Sequence, residues 1–328
     1  MPAAARARLK AWLSFVARYL LGFLLVYWLW RTQVLDLGPL KSISATLVVQ
    51  GLFLGISITA ISTYRIRYLM SDQGIHVSYR RCFLYNSIGL FYSLFLPGGL
   101  SGDAARAYYF FKDAPQKRIA VLGALLLDRF LGLIALIAFG IMSGIFLASM
   151  IREVVPYLVA SAIFLGVLVA GLVLGVRYEI QHRSTADAHW LLRLWEAVRK
   201  FVARMHLTEY STRTLVVSVV LSVLMNVLMI VLMYLCSVLN ESGLGFMEVS
   251  AVSPLGLLTN AIPLSPGGLG VGEKSFDVLY KAVGGSNGAG SFLTARIFLY
   301  CPAVIGGLCA AFLLFRSHYS SLARRKKS

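Results

Sequence analysis

One motif occurs twice in this chain, and each time it breaks an apolar stretch. Pro97-Gly98-Gly99-Leu100-Ser101-Gly102-Asp103 and Pro266-Gly267-Gly268-Leu269-Gly270-Val271-Gly272-Glu273 both read P-G-G-L, a short spacer, then glycine and a carboxylate. Proline and paired glycine interrupt a helix, yet the flanking residues are as apolar as those of a membrane span. Irregular backbone cannot face lipid, because each unsatisfied N–H or C=O costs several kcal/mol there. A fold containing both breaks must therefore bury them in protein or line a wet cavity with them. In each half the next apolar segment also carries an arginine, Arg129 and then Arg296. A repeated helix break with a carboxylate and an intramembrane cation is the pattern of a transporter.

Composition supports a membrane setting. Of 328 residues, 58% are hydrophobic and only 14% charged, with a mean hydropathy of +0.76, whereas soluble domains carry about 25% charged residues. The formal net charge of +17 could suggest nucleic acid, but the cations lie between apolar segments and at the two ends. That is the positive-inside distribution, and no nucleic-acid partner is expected. Arg6, Arg8 and Lys10 lead into an apolar segment without a small-residue cleavage site, which reads as a retained signal-anchor. Cys82, Cys236, Cys301 and Cys309 show no C-x-x-C spacing, and the five histidines have no metal-ligand spacing. Neither a metal nor another cofactor is expected.

The pattern reads as an all-α, polytopic bundle of six full spans and two broken segments, forming a single integral membrane domain over residues 1–328. Apolar stretches near the ~20 residues needed to cross a bilayer cover about 11–30, 43–64, 119–150, 154–176, 215–239 and 291–315. The broken segments cover about 83–111 and 249–283. Arg65, Arg67, Arg80 and Arg81 read as a basic loop after the second span. In the polar stretch 177–213, Leu191, Leu194, Trp195, Val198, Phe201, Val202 and Met205 fall at helical spacing, with cations mostly elsewhere. This predicts a basic amphipathic helix, either on the inner leaflet or capping the bundle.

The basic loops and both termini can share the cytoplasmic side of an inner membrane only if 83–111 enters from the cytoplasm and returns there. By the same rule 249–283 enters and leaves from outside. The two breaks become re-entrant segments facing each other, and the chain an inverted repeat, with repeat A over about 43–150 and repeat B over about 215–315. Such repeats place substrate near the midplane, between the breaks.

The candidate substrate-binding residues are Gly98, Gly99, Asp103, Arg129, Gly267, Gly268, Glu273 and Arg296. The glycines permit turns closed to other residues and a close approach of substrate. Asp103 and Glu273 stand near the starts of short helices, where a carboxylate either caps the terminus or counters a cation. An arginine within a span costs at least about 2.5 kcal/mol and usually faces a partner or a cavity. Asp128 adjoins Arg129, but neighbours in a helix do not face each other. The expected pairs are Arg129 with Asp103 and Arg296 with Glu273, the alternative being pairs across the repeats. Functionally these arginines would engage a phosphate headgroup; otherwise they are structural ion pairs locking the broken segments.

Pro97 to Asp103, Asp128-Arg129-Phe130, and Ile262 to Glu273 with its I-P-x-S-P-G-G-L-G-V-x-E run resemble the lysylphosphatidylglycerol synthase transmembrane-region family, also described as flippase-like. The resemblance covers nearly the whole chain. It implies a bundle that moves or handles lipids, such as an anionic phospholipid, between leaflets. The aminoacyl-transferase half of such synthases has no counterpart before Ser328, so that activity is not expected and a separately encoded lipid-modifying enzyme becomes a candidate partner. A secondary transporter of a small solute, coupled to protons through Asp103 or Glu273, fits the repeats equally. A membrane transferase fits less well, because the 14 acidic residues form no D-x-x-D cluster.

Overall fold

The longest apolar runs become the longest helices. The computed structural model describes residues 44–95, 101–148, 210–260 and 269–325. Within them the elements are α1 (Ala45–Asp72), α2 (Tyr79–Phe95), α3 (Ser101–Asp113), α4 (Arg118–Ala148), α5 (Thr212–Leu239), α6 (Phe246–Asn260), α7 (Val271–Ala282) and α8 (Gly288–Arg325), with no strand among the described residues. Four of them, α1, α4, α5 and α8, are long and apolar enough to cross a membrane. At 1.5 Å per residue, the 28 residues of α1 extend about 42 Å, beyond the ~30 Å hydrocarbon core. By contrast α2 has 17 described residues and α3 has 13, well short of the four long helices. The expected first and fourth spans and the amphipathic stretch up to residue 209 lie outside the described residues, as do Gly98, Gly99, Gly267 and Gly268.

Polar contacts at the helix ends fix the directions. Ser211 caps α5 by accepting from the Thr214 N–H, and its own N–H and hydroxyl donate to the Asp72 carboxylate at 2.8 and 3.1 Å. The start of α5 is thus tied to the end of α1, and the two pack antiparallel. Lys117, just before α4, donates to the carbonyls of Gln73 and Gly74, so α4 starts at the same end. At the other end Ser286 N–H donates to Ser242 O, Asn287 to Asn240 O and Asn240 to Thr294 Oγ1, joining the start of α8 to the end of α5.

The short helices form two hairpins that open at opposite ends. Asp113 at the end of α3 accepts from the Tyr85 hydroxyl at 3.0 Å and pairs with Arg81 near the start of α2, so the chain returns to the face it left. Tyr280 near the end of α7 meets Ser237 near the end of α5, 2.5 Å between hydroxyls, which is the opposite face. Each hairpin's first arm packs on the last helix of the other set: α2 on α8, and α6 on α4. The α2–α8 contact is backbone to backbone, since a Cβ on Gly306 would overlap the Ser87 backbone and one on Gly307 the Phe91 ring.

Two apolar cores occupy the two ends. Ile66, Leu69, Met70, Tyr85, Phe110 and Val121 form one; Leu232, Met233, Val249, Phe276, Phe292 and Phe298 form the other. Outside them α5 exposes Val216, Val219, Val220, Val223, Leu224 and Val227, and α8 exposes Val304, Ile305 and Leu308. Such continuous apolar surface exceeds what a water-soluble monomer shows and suits lipid contact. Proline inside α6 and α8 leaves a carbonyl one turn back without its helical donor. Ser143 of α4 supplies a hydroxyl at 3.3 Å to Ser250 O, the carbonyl Pro254 releases. The carbonyl of Phe298, released by Pro302, lies against Gly55 of α1, where any Cβ would overlap it.

One boundary differs in a way that matters below. The second apolar span was expected to stop at Tyr64 with Arg65 in a basic loop. Instead α1 continues to Asp72 and Arg65 is buried inside the bundle.

Candidate functional site

The residues after each break start a short returning helix, and its first turn carries the motif's carboxylate. In the first half, Asp103 is the third residue of α3 and faces α4. Arg129 donates to it through Nε at 2.8 Å and Nη2 at 3.2 Å, the fork-to-carboxylate geometry that arginine favours. Arg106, one turn along α3, also pairs with Asp103 through Nη2. An N-cap role expected for Asp103 is not what its position gives. It sits inside the helix and its oxygens are taken by two guanidinium groups. Arg129 is the twelfth residue of α4, about 17 Å from the helix start and so near the middle of a bilayer.

Behind this pair lies a second, drier set. Arg65 of α1 donates through Nε to Asp128 Oδ1 at 2.7 Å, with the two side chains 5% and 4% exposed. Its Nη1 donates to Ser222 of α5 at 2.6 Å, and Gly132, one turn beyond Asp128, leaves space beside the guanidinium. Arg106 Nη1 donates to Asn86 Oδ1 at 3.1 Å and lies 3.8 Å from Asp128 Oδ2. Asn86 in turn donates to Thr63 at 3.1 Å. Helices α1 through α5 thus meet on one chain of charges running Arg65, Asp128, Arg106, Asp103, Arg129.

The second half carries a shorter arrangement. Glu273 in the first turn of α7 accepts from the Gly270 N–H at 2.7 Å through Oε2, while Oε1 lies 3.0 Å from Arg296 Nε of α8. This carboxylate both caps its helix and counters a cation. Gly270 itself has φ of +83°, a conformation glycine tolerates without strain. Glu273 is wholly buried, and the Arg296 guanidinium lies over the Phe292 ring at 4.7 Å. On the same helix Asp277, also buried, pairs with Lys274 and Lys281.

Both expected pairs, Asp103 with Arg129 and Glu273 with Arg296, therefore form within their own halves, and the described candidates fall into two separate clusters. Sequence reasoning missed Arg65, Asn86, Arg106 and Asp128. Arg106 had a readable signal, three residues after Asp103 on a helix. Arg65 did not, because a cation ending an apolar run looks like the start of a loop. Outside the spans, burial and then the nearby Asp72 carboxylate push the Tyr210 phenol above its ordinary value, so it stays neutral beside the α1–α5 junction.

The charges at mid-helix depth, the lipid-facing stripes and the four spanning helices together describe an integral multi-pass membrane protein. No curated protein is matched by the chain. The profile of the family described as "Lysylphosphatidylglycerol synthase TM region" matches residues 15–320. With nearly its full length matched, and with both broken motifs lying inside the matched region, the chain belongs to the lysylphosphatidylglycerol synthase transmembrane-region family.

Proposed function

We propose that the protein moves a phosphate-bearing lipid headgroup, most simply that of an anionic phospholipid, between leaflets along the two broken segments. The observation that carries this reading is the Asp103–Arg129 pair. A charged fork is held at mid-helix depth, at the head of a hairpin that cannot cross the bilayer by itself. Such charges are expensive in a bilayer and mark a pathway or a site. A headgroup needs a polar route through the hydrocarbon layer, while its tails stay in lipid.

The helix order supports an inverted repeat as the frame for that route. Helices α1 to α4 and α5 to α8 follow the same sequence of long, short, short, long. Packing pairs in one set have their counterparts in the other: α1 with α2 and α5 with α6, α2 with α3 and α6 with α7, α2 with α8 and α6 with α4. Because α1 and α5 run antiparallel, the two sets are opposed in direction. The positive-inside distribution favours a cytoplasmic face for the α1–α2 turn and for both termini in an inner membrane. Gly98 and Gly99 at one break, and Gly267 and Gly268 at the other, would let the headgroup pass close to backbone. Glu273 and Arg296 would tie α7 to α8 in the second half. A separately encoded lipid-modifying enzyme would supply or consume the lipid.

Leaflet exchange of headgroup-labelled phospholipids in proteoliposomes tests this reading. Unaltered protein should accelerate exchange, and Arg129→Gln and Glu273→Gln should each abolish it while the protein stays folded. No exchange of any phospholipid by well-folded protein would overturn translocation and favour a small-solute transporter or a partner-dependent subunit.

A further inference from the structure

The two helix sets can be matched from their starts: Ala45 with Thr212, Tyr79 with Phe246, Ser101 with Val271 and Arg118 with Gly288. On that match Arg65 corresponds to Leu232, Arg106 to Phe276 and Asp128 to Phe298. Contacts agree with the register. A Cβ on Gly89 would strike the Arg106 side chain, and one on its counterpart Gly256 would strike the Phe276 ring. Phe298 lies over Gly51 and Gly55 of α1; their counterparts on α5 are Ser218 and Ser222, and Ser222 accepts from the Arg65 that holds Asp128. Leu232, Phe276 and Phe298 belong to one apolar core. The fold therefore closes with three apolar side chains in one half and three charges in the other. Replacing a buried ion pair by well-packed apolar residues is often neutral or stabilising, so packing does not account for the charged set.

That set is also unbalanced. Arg65, Arg106 and Arg129 face Asp103 and Asp128, and among the described residues no further carboxylate joins them. One positive charge is in excess, and exposure rises toward one end: Asp103 is 14% exposed and Arg129 53%. By contrast Glu273 and Arg296 form a pair with no net charge.

We infer that the buried Arg65–Asp128–Arg106 cluster is a positioning device for anion selection. It fixes Arg106, and through Arg106 it fixes Asp103, so that Arg129 presents the excess charge beside the start of α3. A phosphate-bearing anion is thereby selected over a zwitterion, and the two halves have different roles. The inference rests on the headgroup reading above and adds the residues that set its charge preference.

The test measures binding, not movement. The full chain in phosphatidylcholine nanodiscs is titrated with tail-labelled phosphatidylglycerol, tail-labelled phosphatidylcholine and inorganic phosphate. Unaltered protein should prefer the phosphatidylglycerol probe by about tenfold or more, the scale of a charge-assisted hydrogen bond. Arg65→Met combined with Asp128→Leu removes one charge of each sign, so the excess persists while the positioning is lost. The preference should then fall to near unity at an unchanged unfolding temperature, whereas Asp128→Glu should keep it. A preference retained by the double variant overturns the positioning role. Should the double variant not fold, Arg129→Gln decides: its side chain is half-exposed, and an unaltered preference overturns the selection itself. Preference without leaflet exchange supports the inference and removes translocation. Saturable phosphate binding with no preference among lipids keeps the anion site, overturns selection against a zwitterionic lipid and removes the headgroup reading.

Discussion

Asp128 stands between Arg65 and Arg106, and both guanidinium groups are almost wholly buried. Removing its charge leaves one arginine without a carboxylate in a dry site, so Asp128→Asn should destabilise the protein by about 3–5 kcal/mol. Arg129→Gln breaks a half-exposed pair and should change stability by about 1 kcal/mol or less. Denaturant unfolding in detergent compares the two; equal losses would show that burial does not govern these charges. At this scale the sequence carried the outer pair clearly. A carboxylate after a glycine break and an arginine in the next span are both conspicuous in apolar surroundings. The inner pair was hidden, because Asp128 adjoins Arg129 and draws attention to that neighbour, while its actual partner lies 63 residues away on another helix.

Helices α6 and α8 each contain a proline whose missing N–H releases a carbonyl, and the two carbonyls are handled differently. Ser143 serves Ser250 O from α4. Ser143→Ala should cost about 1 kcal/mol by leaving that oxygen unsatisfied. Pro254→Ala restores the helical donor, so the same serine change made in its presence should cost little. A double-mutant cycle on unfolding temperature checks this, and additive effects would show that the serine does not serve the proline. Phe298 O instead faces Gly55 of α1, where a side chain would collide with it. Element existence was largely legible, since Pro97 falls in sequence between α2 and α3, and Pro266 between α6 and α7. The ends were not. Apolarity falls off at Tyr64, but α1 runs on to Asp72 because Arg65 finds a carboxylate inside the bundle and Asp72 receives Ser211.

For the molecule as a whole, the antiparallel α1–α5 pair and the opposed hairpins lead to a simple expectation about sidedness. In a cysteine-free background, His76→Cys in the α1–α2 turn and Glu241→Cys in the α5–α6 turn are both exposed. An impermeant maleimide should label them from opposite faces of sealed vesicles. Labelling from one face would rule out the opposed arrangement. The charge distribution gave the expectation of opposed segments that this labelling tests, whereas the differing interiors of the two halves were not legible. Leu232, Phe276 and Phe298 are unremarkable apolar residues until the helices are superimposed in order.

The crossed packing of α2 on α8 has a consequence for synthesis. The first hairpin inserts early, but the surface that clasps it, α8, follows every other described helix in the chain. Until then Ser87 and Ile88, fully covered by α8 at Gly306 in the finished protein, have no neighbour on that side. Nascent chains stalled before Gly288 should therefore leave Ser87→Cys open to a thiol reagent that the full-length protein excludes. Maturation of the first half would then wait on the release of the second, making α8 the checkpoint at which a quality-control protease distinguishes clasped molecules from unclasped ones.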